Sequence, residues 1–182
     1  RLVPEKGVDL YVDVIANIAN KFPDWQFDLI GSFRLGDDRN KGSFVSKIIK
    51  KFQNIGGQAQ FHGFKNQDFV QKKMKSASII VIPSIWEEPY GLVAAEAMSN
   101  GIAIITSDIG GITEIVKENG ILIKSINRLK LQDELERLMI NSGKIKSLQK
   151  LSWNNFEHSS KKSSKKLDNY RQRILSSYFV NH

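Results

Sequence analysis

Five short strand-like segments alternate with helix-period stripes along this chain of 182 residues, and that alternation limits the fold more than any other feature. The segments are 26–30, 59–62, 78–83, 102–106 and 120–124, most of them closing on glycine or proline. The most apolar, Ile79-Ile80-Val81-Ile82, is apolar at every position rather than every other one, the pattern of a strand buried on both faces. Val8, Tyr11, Val12, Ile15, Ile18, Ala19 and Phe22 recur at helical spacing and stop before Pro23. Further helices are expected over 44–52, 67–75, 91–100 and 112–118, and a pair of helices over 127–152, with a polar loop at 32–40. Strands joined by helices build a mostly parallel sheet, so the expected class is α/β. Such sheets take ligands at the carboxyl ends of their strands. The loops after Ile30, His62, Pro83 and Thr106 are therefore expected to face one crevice.

Composition removes several function classes. At 41% hydrophobic and 25% charged, the chain can bury one core without covalent staples. It has no cysteine, which excludes disulfides, thiolate metal sites and cysteine nucleophiles. His62, His158 and His182 lack metal-ligand spacing, so no metal is expected. No apolar run is long enough to cross a bilayer. The opening RLVPEKG has none of the marks of a signal peptide and reads as the interior of a longer protein, which suggests a cytoplasmic domain. Neither G-x-G-x-x-G nor a Walker A loop occurs, which argues against dehydrogenase and kinase chemistry.

The charge is concentrated in the tail. Residues 141–182 hold nine Lys/Arg against Glu157 and Asp168, which leaves seven of the net +8 there. The body is nearly neutral, so nucleic acid is not expected as a partner. We divide the chain into a domain at 1–156 and a basic amphipathic helix at 157–182. In the latter, Leu167, Tyr170, Ile174, Leu175 and Tyr178 form a helical stripe. Two readings follow: a final helix packed on a domain with its basic face solvated, or contact with an anionic membrane surface through residues 161–173.

The most informative stretch runs from Pro83 to Gly101: PSIWEEPYGLVAAEAMSNG. A strand ends at Pro83, a loop carries two acids, and a helix begins near Gly91. The first amides of that helix (Gly91, Leu92, Val93) point into the crevice and, with the helix dipole, form an anion site. Glu88 precedes the helix and Glu96 lies one turn into it, on the face of Leu92. Carboxylates beside an anion site suit hydroxyl groups, which donate to them. The layout implies a ligand with a negative middle and hydroxyls on both sides. Glu88 and Glu96 could equally do no more than favour the helix dipole.

The whole string resembles the E-x7-E signature of the retaining glycosyltransferases of family 4 (group 1), with Glu88 and Glu96 as the two acids. Arg1…Lys6-Gly7, Phe61-His-Gly-Phe64 and Asp108-Ile-Gly-Gly-Ile-Thr-Glu114 resemble further elements of that family, and the likeness fades after about residue 125. It implies a Rossmann-like three-layer α/β/α domain, one half of a GT-B fold, followed by C-terminal helices. Arg1 and Lys6 would then hold the diphosphate of a nucleotide-sugar, without a metal. Leu92 and Val93 would meet phosphate and ribose through their backbone, and Glu96 the ribose hydroxyls. Glu88 would serve the transferred sugar as the catalytic-site acid. Phe64 would sit by the base, and Tyr90, Gly91, Gly110 and Gly111 would complete the donor site. Glu114 reads as structural and His62 as a strand-end histidine. The implied reaction moves a hexose, with retention, from a nucleoside diphosphate sugar to a glycan or lipid-linked acceptor of polysaccharide biosynthesis. The acceptor site and catalytic histidine would belong to an N-terminal domain of the same parent, so this chain alone is expected to bind donor with little or no turnover. Its location would be cytoplasmic, with the tail as a candidate membrane contact.

Two other classes stay open: a non-catalytic nucleotide- or sugar-binding module, and a glycoside hydrolase using Glu88 and Glu96 as its acid pair. The resemblance also raises a difficulty. The family's first strand is central in its sheet, and only Arg1-Leu2-Val3 correspond to it. A strand from outside the given chain, or another segment of it, is expected between the strands that follow the first and third helices, since two unpaired apolar edges would otherwise face each other.

Overall fold

The computed structural model describes residues 1–32, 43–157 and 160–180. Most of the expected 32–40 loop, together with His158 and His182, lies outside them. The helices are α1 (Val8–Ile18), α2 (Ser43–Gln53), α3 (Gln67–Ser76), α4 (Leu92–Ser99), α5 (Gly111–Val116), α6 (Arg128–Met139), α7 (Ser142–Asn154) and α8 (Ser160–Val180). The strands are β1 (Phe27–Ile30), β2 (Ala59–Gly63), β3 (Ile79–Ile82), β4 (Ala103–Ser107) and β5 (Ile121–Ile123). Each expected helix and strand is present, with ends moved by one to a few residues. α5, expected to reach 118, stops at Val116 and passes into a 3-10 turn over Lys117–Asn119.

All strand pairings are parallel, as short strands linked by helices require. They form two sheets, β1-β2 and β3-β4-β5. β4 lies between β3 and β5 and is buried at every position. Its side chains alternate between two cores, as strand geometry dictates. Ala103 and Ile105 join Val12, Ile15 and Ile18 of α1, Phe27 and Leu29 of β1, and Leu131 and Leu135 of α6. Ile104 joins Met98 of α4, Ile112 and Ile115 of α5, and Met74 of α3. The result is three layers, helix on sheet on helix, with the first core spanning both sheets.

One expectation is corrected. The strand buried on both faces is β4, whereas β3 is only partly buried at each of its four positions. Its apolar run faces both ways, but among the described residues β3 pairs on one edge only. Between β1 and β3, where a strand from another segment or from outside the given chain was expected, no described segment of this chain pairs. Arg1–Val3 do not extend into one, because Pro4 opens a 3-10 turn and carries no N–H for a ladder. Instead the opening segment bridges the carboxyl ends of both sheets. The Leu2 N–H donates to the Ser32 carbonyl at 2.8 Å, and the Ile85 N–H to the Glu5 carbonyl at 2.9 Å.

α8 leaves Leu167, Tyr170 and Ile174 exposed at 50%, 61% and 67%, so that stripe is not packed on the domain. The described residues of both cores all lie at or before Phe156. The side chains of Leu175 and Tyr178 lie outside the described residues.

Candidate functional site

The carboxyl rim of the sheets is tied together by backbone hydrogen bonds. Gly31 N–H donates to the Gly63 carbonyl at 2.9 Å and joins the ends of β1 and β2. The two bonds from Leu2 and Ile85 attach the opening turn to β1 and β3. Gly111 N–H donates to the Glu88 carbonyl at 2.7 Å and joins the loops after β3 and β4. Loops distant in sequence thus converge where an α/β sheet places its ligands.

At the centre stand Lys6 and Glu88. The Pro4–Lys6 turn ends at Gly7, whose φ of +61° suits glycine. A Cβ there would lie 1.9 Å from the Pro83 carbonyl oxygen, so the turn rests directly on the end of β3. This carries Lys6 to the acidic loop, where its ammonium pairs with the Glu88 carboxylate. Sequence reasoning assigned the two to different parts of a ligand and did not anticipate the pair. Glu88 Oε1 also accepts the Ser84 hydroxyl at 3.1 Å. Arg1 is exposed nearby.

Gly91 caps α4 with φ +85° and offers no side chain, so the N–H groups of Leu92 and Val93 have no acceptor among the described residues. Leu92 and Val93 are themselves exposed at 68% and 47%. These amides form an electropositive end beside Lys6 and Glu88. Glu96, half-buried, accepts from Gln67 Nε2 at 3.1 Å. Gln67 opens α3 just after Phe64, so the second acid of the motif is linked to the β2 loop. Only the fold makes Gln67 a site residue, since a lone glutamine at a helix start gives no sequence signal. Phe64 and Tyr90 are exposed on the rim.

Gly110 and Gly111 serve a contact inside the protein. A Cβ on Gly110 would lie 2.8 Å from both the N and O of Glu88, and one on Gly111 would lie 2.3 Å from the Pro89 carbonyl oxygen. Close backbone approach was expected here towards a ligand, whereas the approach seen is to the acidic loop. Glu114 is exposed on α5, and Thr113 Oγ1 donates to Asp108 at 3.0 Å, holding the glycine turn. His62 is bound to Asp28 at 2.5 Å, with Lys73 on the same oxygen at 2.9 Å. That agrees with a strand-end histidine. Among the described residues, no group of three or more acids and histidines could hold a metal ion.

With this geometry in hand, known proteins can be compared. The family described as glycosyl transferases group 1 matches residues 1–158. An uncharacterized glycosyltransferase of Methanocaldococcus jannaschii is 37% identical over 166 residues, covering 85% of this chain and 40% of that protein. HepE of Anabaena, solved in complex with UDP, superposes with a TM-score of 0.72 at 22% identity, over 97% of this chain and 47% of HepE. The C-terminal domain of a glycosyl transferase group 1 family protein (LpcC) of Francisella tularensis gives 0.71 at 23% identity, over 85% of this chain and 79% of that one. The fold is thus the Rossmann-like half of a GT-B fold. The chain spans under half the length of the M. jannaschii relative. On the family match over residues 1–158, the chain belongs to the group 1 glycosyl transferases.

Proposed function

We propose that this chain is the donor-binding half of a retaining, metal-independent glycosyltransferase that moves a hexose from a nucleoside diphosphate sugar to a glycan or lipid-linked acceptor. One observation carries the reading: the Lys6–Glu88 pair lies on the same rim as the uncapped amides of α4. An anion enters at the amides, and Lys6 and Arg1 face it as cations, so a diphosphate is neutralised without a metal ion. As the bond to the sugar breaks, charge grows on the departing diphosphate, and these fixed donors stabilise it. Glu88 accepts hydroxyls of the sugar, and Glu96 those of the ribose, with Gln67 steering its carboxylate. Phe64 and Tyr90 flank the nucleotide. Residues 1–156 form the donor unit, and the acceptor and remaining catalytic groups belong to an N-terminal domain of the parent. HepE, solved with UDP and also with UDP-glucose, supports this ligand class by analogy of fold.

For α8 (Ser160–Val180) we propose contact with an anionic membrane face. Exposed Leu167 and Tyr170 supply the apolar side, and the surrounding Lys and Arg residues supply the charge.

A thermal-shift panel of UDP, GDP, ADP and their sugar conjugates tests the donor reading, with Glu96→Ala as control. A ligand at 100 times its Kd adds about 2.7 kcal/mol, or about 5–10 °C for a domain of this size. One nucleotide series is expected to shift the wild type and not the variant. No shift with any member would overturn donor binding by this chain. Turnover by the full-length parent separates an enzyme from a non-catalytic sugar-binding module.

A further inference from the structure

We propose that Ser84 is a positioning residue that holds the Glu88 carboxylate in place for the sugar, an inference that rests on the donor reading above. Ser84 follows Pro83 at the end of β3 and is fully buried, at 0% exposure. Its Oγ has three acceptors within reach: Glu88 Oε1 at 3.1 Å, the Glu5 carbonyl at 3.2 Å and the Trp86 carbonyl at 3.5 Å. A hydroxyl has one proton to give. The Glu5 carbonyl already accepts the Ile85 N–H at 2.9 Å, and Trp86 is the most distant. Bonds to an ionised acceptor are roughly twice as strong as neutral ones. The proton therefore goes to Glu88.

Glu88 thus has two holders of different kinds. Lys6 is a long, rotatable cation, and it is also the group that a bound diphosphate attracts. Ser84 is short, buried and confined by the turn around it. When a diphosphate draws Lys6 away, the carboxylate keeps its bond to Ser84 and stays directed at the sugar. Ser84 therefore acts on recognition of the sugar and leaves recognition of the nucleotide alone. A hydroxyl that only braced the loop would affect both.

Calorimetric titration of the chain with UDP and with UDP-glucose tests this, using wild type, Ser84→Ala, Glu88→Gln and the double variant. Ser84→Ala leaves the Glu5 carbonyl bonded through Ile85, so the loss falls on Glu88. It is expected to weaken UDP-glucose about tenfold, the scale of a hydrogen bond to a charged group, and to change UDP less than about twofold. In the Glu88→Gln background the same substitution is expected to add nothing, because the two residues act as a unit. Equal loss for both ligands, no loss for either, a selective loss that persists with Glu88→Gln, or failure of Ser84→Ala to fold would each overturn the role. If the thermal-shift panel selects GDP or ADP, that nucleotide and its sugar conjugate replace UDP and UDP-glucose in the titration; wild type that takes no member of the panel would instead remove the donor reading, and this inference with it.

Discussion

Gly111 sits so close to the acidic loop that an added methyl would meet the Pro89 carbonyl oxygen at 2.3 Å. Gly111→Ala must push that loop and Glu88 away, and overpacking of this kind costs about 1–3 kcal/mol. A melting temperature lower by several degrees, together with weaker nucleotide binding, is expected from thermal denaturation and titration of the variant. The Gly-Gly pair was visible in the sequence, but its partner was not, because the two loops meet only when β3 and β4 lie side by side. Asp28 gives a pH signature at the same scale. Burial acts to raise its pKa, but hydrogen bonds from His62 and Lys73, with their charges, outweigh that and hold it below the ordinary carboxylate value. The stability this confers is present above the unfolded pKa of about 3.9 and is lost as the pH falls through the lower folded value. The side chain is 36% exposed, so the contribution stays below about 1 kcal/mol. Denaturant melts of Asp28→Asn should fall slightly below wild type at pH 7 and converge with it as the pH falls below the lowered folded value.

Among the elements, β4 and α8 mark opposite extremes. β4 is paired on both edges and covered on both faces, which fixes the site loops at its end and at the end of β3. None of the described side chains of α8 belongs to either core. A chain ending at residue 157 is therefore expected to melt within about 2 °C of the full chain while losing association with anionic vesicles. Co-sedimentation with zwitterionic and anionic liposomes reads the second half of that expectation, and binding indifferent to anionic lipid would count against a membrane role. Helices were legible from their apolar period of 3.6, and strands as short apolar runs that mostly close on glycine or proline. Less legible was which strand lay deepest. β3 and β4 are both apolar runs, and only the number of paired edges separates them.

At the scale of the whole molecule, two sheets share one core and are tied along their carboxyl rim by four backbone hydrogen bonds. That rim gathers Lys6, Ser84, Glu88, the α4 amides and Gly111 from segments more than a hundred residues apart. The sheet order also sets what the chain presents: one wall of a crevice at the carboxyl ends of its strands.

The sequence by itself determined the α/β class, the parallel pairing, the place of the crevice and the acids at its edge. These follow from local periods and from a motif that is contiguous in the chain. Tertiary structure alone decided that Lys6 pairs with Glu88, that Gln67 meets Glu96, that Gly110 and Gly111 pack against backbone, and that α8 stands apart from the cores. Each of these depends on distances across the fold between side chains whose identities are unremarkable where they stand, and only the packing of strands and loops sets those distances.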